Sequence, residues 1–143
     1  MAVSVDLNAD MGEGIGNDAA LVSIVTSANV ACGFHAGSVE TMRETMREAL
    51  RAGVGIGAHP GFDDRANFGR TRMRLSADEL AALTSYQLGA AIGVARELGG
   101  TVRHLKLHGA LANMATEEPE IARACYEAAL RVQPDIVLMV IAA

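Results

Sequence analysis

Tryptophan is missing from this chain, and its absence excludes nothing; the other shortages say more. Only two cysteines occur, Cys32 and Cys125, too few and too far apart for a disulfide framework or a cysteine metal cluster. They read as core residues of a cytoplasmic protein. Basic residues are outnumbered, 12 Lys and Arg against 17 Asp and Glu. The resulting net charge of −5 argues against nucleic acid as a main partner, because phosphate binding needs a basic surface. Half the chain is apolar, yet its longest uninterrupted apolar run, Ile136 to Ala143, is too short to cross a bilayer. No basic stretch followed by an apolar one opens the sequence, so no secretory leader is expected. Fixed-period repeats, low-complexity tracts and linkers are also missing. The 143 residues are expected to form a single domain, 1–143, with one core.

What is present is organised around Val54 to Gly61, read Val-Gly-Ile-Gly-Ala-His-Pro-Gly. Alternation puts Val54, Ile56 and Ala58 on one face of a short strand, and Gly55, Gly57 and His59 on the other. Glycines on one strand face predict that something comes close there. Pro60 and Gly61 stop the strand just past the histidine. The plan recurs. Strand one, about 3 to 8, carries Ser4, Asp6, Asn8 and Asp10 opposite Val3, Val5 and Leu7. Strand two, about 27 to 33, aligns Asn29, Ala31, Gly33 and, if it stays extended, His35. Strand four, about 101 to 107, aligns Val102, His104, Lys106 and His108. Four segments thus send small or ionisable residues toward one end, as the strands of α/β barrels do when they build active sites.

Between the strands the pattern is helical. A short helix is expected from Asn17 or Asp18 to about Val25, and a second is capped by Ser38 and ended by Gly53, with Val39, Met42, Met46, Ala49 and Leu50 as its apolar stripe. The third opens on Ser76-Ala77-Asp78-Glu79, a capping-box pattern, and runs to about Leu98. A fourth is expected from a Thr116 cap to about Arg131, before an apolar fifth strand at 136 to 141. Strand–helix alternation predicts an α/β fold with a parallel sheet. The longest loop, His59 to about Leu75, carries Asp63, Asp64, Arg65, Arg70, Arg72 and Arg74, and loops of this length are usually functional. Gly12, Gly14 and Gly16 match neither common phosphate-loop spacing.

A carboxylate facing into a buried site costs several kcal/mol unless it is paired or metal-bound, so Asp6 and Asp10 call for partners. Lys106 is one candidate. A lone strand-end histidine usually just bonds a backbone carbonyl, but two histidines and several carboxylates at one mouth favour a site. Asp6, His35 and His59 form a set able to hold Zn²⁺ or another divalent metal and to activate water. The metal-free alternative is acid–base chemistry by Asp10, His59, Lys106 and His108, with Lys106 stabilising developing negative charge. Asn8, Glu13, Asn29 and Arg70 are assigned to substrate binding, although Glu13 reads equally well as a solvated loop charge.

With those residues in view, the chain resembles the LamB/YcsF family. The resemblance rests on Asp6 to Glu13, Ser27 to Gly37, Gly57 to Gly61, Phe68-Gly69-Arg70, Tyr86 to Ala90 and Lys106 to Leu111. It implies a distorted (β/α) barrel related to those of glycoside hydrolases and polysaccharide deacetylases, here as its N-terminal portion of about five strands. It also implies one component, the A subunit, of an ATP-dependent 5-oxoprolinase, which opens the lactam to glutamate using ATP with Mg²⁺ and companion subunits resembling allophanate hydrolase. Two departures stand out: Leu107 replaces a usual proline, and Ala112 a usual tyrosine. Family members also approach the barrel norm of about 250 residues, so this shorter chain is expected either to be a fragment of a longer protein or to self-associate through open sheet edges. The rival expectations are a metal-dependent deacetylase or amidohydrolase working without ATP, and an inactive assembly subunit.

Overall fold

A computed structural model describes residues 4–142. Five strands form one sheet in the order β1-β2-β3-β4-β5, every pair parallel: β1 (Asn8–Met11), β2 (Ser27–Ala31), β3 (Gly55–His59), β4 (Val102–Lys106) and β5 (Val137–Met139). The helices are α1 (Asp18–Leu21), α2 (Val39–Ala52), α3 (Ala77–Glu97), α4 (Gly109–Glu117) and α5 (Pro119–Val132). Among the described residues the sheet is open between β1 and β5, so the class is α/β with an unclosed barrel-type sheet.

Helix boundaries follow local chemistry. Ser38 Oγ accepts from Thr41 N at 3.1 Å to start α2, and Gly53, in the left-handed region at φ 73°, ends it. At α3 the Ser76 hydroxyl accepts from Glu79 N while the Glu79 carboxylate accepts from Ser76 N, a complete capping box in which the serine is worth about 1 kcal/mol. Met42, Met46 and Ala49 of α2 are buried against the sheet, but Val39 points to solvent.

The sheet has two unlike faces. Ala28, Val30, Ile56, Ala58 and Leu105 join the helices in the apolar core. Asn29, Gly57, His59 and His104 lie on the other face, equally buried but packed polar on polar. The glycines of β3 are explained here. A Cβ at Gly57 would fall on the His104 ring, so the close neighbour predicted for this strand is a histidine of β4.

Several expected boundaries move. The first strand begins at Asn8, not near residue 3; Val3 lies outside the described residues, and Val5, expected on a packing face, is 83% exposed. Among the described residues, bonds such as Thr26 N to Leu7 O at 2.7 Å hold the chain there. Helix α1 is a single turn. β2 ends at Ala31, and Gly33 and Gly37, both at positive φ, turn the chain so that His35 comes from a loop. Thr116 caps no helix: it lies inside α4, its hydroxyl donating to Ala112 O at 3.0 Å. The break falls at Glu118, held extended by Pro119, which then serves as the first residue of α5.

Candidate active site

Parallel strands place their carboxyl ends on one rim, and six ionisable residues meet there. Asp10 comes from β1, Glu13 from the loop after it, His35 from the loop after β2, and His59 from the last position of β3. Lys106 ends β4, and His108 is the N-cap residue of α4.

Lys106 Nζ donates to Asp10 Oδ1 at 2.7 Å. Asp10 Oδ1 also accepts from Asn29 Nδ2 at 2.9 Å, and Asp10 Oδ2 lies 3.4 Å from His59 Nε2. Burial alone would push the Asp10 carboxyl upward, but the His59 ring, Lys106 and Asn29 outweigh it, and the group sits far below the usual carboxylate range. Behind it, Asn29 uses its whole side chain: Nδ2 donates to Asn8 Oδ1 at 2.8 Å as well, and its Oδ1 accepts from His104 Nε2 at 2.6 Å. Asn29 is completely buried and braces Asp10 from below.

The tautomers of two histidines are dictated by carbonyls, which only accept. His59 Nδ1 lies 2.7 Å from Lys106 O and so carries hydrogen; His108 Nε2 lies 2.7 Å from Phe68 O and does likewise. Phe68 is held at φ 56°, the only described residue other than glycine with positive φ, which fixes that carbonyl. Burial, together with the His35 ring, lowers the His108 imidazole to about 4, and burial lowers His35 against the pull of Glu13. Glu13 Oε1 stands 3.2 Å from His35 Nε2 and 3.7 Å from His108 Nδ1, with its side chain only 8% exposed. Glu13 is therefore a buried member of the site and not a solvated loop charge. His35 stacks on His108 with centroids 3.7 Å apart, and its Nδ1 has no hydrogen-bond partner among the described residues.

Glu13, His35, His59 and His108 each offer a donor atom within 4.8 Å of the others, a group able to hold a divalent ion. Asp6 is not among them. Its carboxylate accepts from Thr26 Oγ1 and Ser27 Oγ, each at 2.7 Å, at the opposite, amino end of β2, and those bonds lower it. Asp6, His35 and His59 thus do not form the converging set, because Asp6 lies before β1 while His59 ends β3 and His35 lies in the loop after β2.

A cavity of about 340 Å³ opens beside these groups, lined by Asp10, His59, Arg70, Lys106, His108 and Tyr126 among others. Residues 5–143 match the profile of the LamB/YcsF family, the family the residues resembled. The chain belongs to the LamB/YcsF family. A curated relative from Ruegeria pomeroyi, named as the A subunit of 5-oxoprolinase, is 58% identical, the match covering 96% of this chain and 56% of the relative. A solved structure, the lactam utilization protein from Thermus thermophilus, matches at TM-score 0.95 and 42% identity over 97% of this chain and 58% of that one. The chain thus spans little more than half the length of either.

Within this LamB/YcsF chain, Arg70 lies over the Phe68 ring at 5.3 Å and reaches the cavity wall, whereas Arg72 and Arg74 pair with Glu117 and Glu118. Tyr126 and Asn113 also line the cavity, and neither was expected. Both sit on helices beyond β4, where periodicity marks a helix face but not what that face meets. Gln87, fully buried, clamps the turn after His59 by donating to Gly61 O and accepting from Gly61 N. No described helix is long and apolar enough to cross a membrane.

Proposed function

We propose that this chain supplies the lactam-opening site of a cytoplasmic, ATP-dependent 5-oxoprolinase that converts 5-oxoproline to glutamate. The observation that carries the reading is the wall of the 340 Å³ cavity, where the Lys106–Asp10 pair stands beside His59 and His108. The names of the relatives point to a lactam, and the cavity holds what opening one requires. His59 keeps its proton on Nδ1, so Nε2 is free to take a proton from an attacking water. Asp10 Oδ2, 3.4 Å away, stabilises the imidazolium that forms. The Lys106 ammonium offsets negative charge building on the lactam oxygen. Returning the His59 proton to the ring nitrogen releases the amine of glutamate. Arg70 is placed to hold the substrate carboxylate.

ATP does not fit the glycine loop after β1. Gly12 N already donates to Asp18 Oδ2 at 2.7 Å, and Glu13 adds a second carboxylate to the loop. Both features repel phosphate. ATP use in this reading belongs to companion subunits resembling allophanate hydrolase, and no step at this site is routed through the nucleotide.

The rival reading, a metal-dependent amidohydrolase without ATP, is favoured by the Glu13–His35–His59–His108 cluster alone. One assay separates the two. The full-length protein combined with its companions is given 5-oxoproline, and glutamate and ADP are counted. Matched appearance of both supports the proposal; glutamate formed with no ADP supports the rival, and no glutamate at all overturns both.

A further inference from the structure

We propose that Glu13, His35, His59 and His108 form a binding site for a divalent transition ion of the zinc class. With hydrogen on His59 Nδ1 and on His108 Nε2, the remaining nitrogens, His59 Nε2 and His108 Nδ1, each carry a lone pair. Those lone pairs face each other at 3.1 Å. Neutral rings held this way repel, and something positive belongs between them. A proton would have to charge one of two rings buried to about 1% and 6% exposure. A metal ion uses both lone pairs and leaves both rings neutral.

Glu13 and His35 bring further donors close to this pair, all four donor atoms lying within 4.8 Å of one another. Glu13 Oε1 is 3.9 Å from His59 Nε2, 3.7 Å from His108 Nδ1 and 3.2 Å from His35 Nε2. Ligands at zinc bond lengths stand about 3.3 Å from one another in a tetrahedral site; the three Glu13 separations bracket that spacing, and the group as a whole draws in from within 4.8 Å when an ion binds. Two rings also have the outer support that ligating histidines need, an N–H on the far side donated to a backbone carbonyl. Glycine makes the close packing possible: a Cβ at Gly61 would come 2.8 Å from His35 Nδ1, and one at Gly69 2.7 Å from His35 Cβ.

The donor set names the ion class. Three imidazoles and one carboxylate suit Zn²⁺, Co²⁺ or Fe²⁺, whereas Mg²⁺ and Ca²⁺ prefer all-oxygen shells. No thiolate is near enough to join; Cys32 is buried, and burial raises its thiol to about 12. The negative charge of Glu13, with Asp10 Oδ2 3.4 Å from His59 Nε2, offsets that of the ion.

This inference does not need the lactam reading, because occupancy is measured without turnover. It changes that reading in one respect. When the site is loaded, His59 is a ligand, and the proton acceptor beside the cavity becomes Asp10.

The test uses the full-length protein stripped with a chelator, then titrated with Co²⁺ and followed by visible ligand-field absorption, with Zn²⁺ as competitor. The expected result is one ion per chain with the intense spectrum of a tetrahedral site. Glu13→Gln and His108→Ala should each weaken binding by on the order of 100-fold, while Asp6→Asn leaves it unchanged. The wild-type spectrum decides the matter even if a variant fails to fold. A wild-type protein that takes up no Co²⁺ at micromolar concentration overturns the proposal. So does a downfield imidazolium proton shared by His59 and His108 in chelated protein that ignores Zn²⁺, or an Asp6→Asn variant that loses the ion. Metal binding without 5-oxoproline turnover would sink the proposed function and leave this site standing.

Discussion

Lys106 Nζ and Asp10 Oδ1 meet at 2.7 Å across the mouth of the sheet, joining β4 to β1, strands that are not neighbours. Both side chains are about one third exposed, at 31% and 35%, so the pair is screened and adds little to stability. Its value is in placing an ammonium and a carboxylate at the cavity. Lys106→Met and Asp10→Asn should therefore each cost about 10² to 10⁴ in turnover while shifting the melting temperature by only a few degrees. Steady-state kinetics beside calorimetry check this. A large stability loss with modest kinetic loss would mark the pair as structural.

Gly57 is occupied from across the sheet by His104, whose ring is tied to Asn29 at 2.6 Å. A methyl group at Gly57 displaces that ring or spreads the strands. Gly57→Ala should destabilise by about 1–3 kcal/mol, the usual cost of overpacking a tight core, and it should lower activity through Asn29 and Asp10. Urea denaturation measures the first effect. A neutral Gly57→Ala would show that the polar layer is loose.

Acid should destabilise the metal-free protein in a defined window. Burial lowers His35, His104 and His108 from 6.5, His108 to about 4. Once the pH drops below 6.5, the unfolded chain takes up protons that the native chain refuses, so stability falls from there toward pH 4. Asp10 and Asp6, both depressed, extend the loss further down, because their contribution is present above the unfolded carboxylate value and vanishes as they protonate. Urea midpoints of chelated protein across this range should decline with pH. A flat or rising profile contradicts the burial argument.

β5 is an edge strand, and Val137, Val140 and Ile141 are 62%, 59% and 49% exposed on it or just beyond. An apolar edge of this kind pairs readily with other chains. The 143-residue chain should self-associate at micromolar concentration in light scattering, and Val137→Lys should reduce it. A monodisperse monomer would show the edge to be inert.

Much of this was legible in the residues. Strand alternation separated the apolar face from the Asn29, His59 and His104 face, and the turn chemistry of Ser38, Gly53 and Ser76 marked helix ends. Of the two readings weighed for His59, the backbone-carbonyl bond is present at Nδ1, and Nε2 lies 3.1 Å from His108 Nδ1. What alternation could not supply was depth along the strand. Asp6 and Asp10 share a strand-face parity, but four residues separate the amino end, where Asp6 is absorbed by Thr26 and Ser27, from the rim. Glu13 and His35 reach the cluster through turns with positive-φ glycines, and no periodicity follows a chain through such turns. The glycines of β3 were read as room for a visitor; the visitor is His104, a pairing that depends on the register between β3 and β4.

In the proposed function, the rim built by Asp10, His59, Lys106 and His108 opens the lactam. The most direct measurement is glutamate formation from 5-oxoproline by the full-length protein with its companion subunits, wild type against His59→Asn. Asparagine keeps a donor for Lys106 O and removes the nitrogen that faces the site. The wild type should form glutamate as ATP is consumed, and His59→Asn should fall by at least about 10²-fold with its melting curve little changed. A folded His59→Asn enzyme that turns over at the wild-type rate would contradict the account.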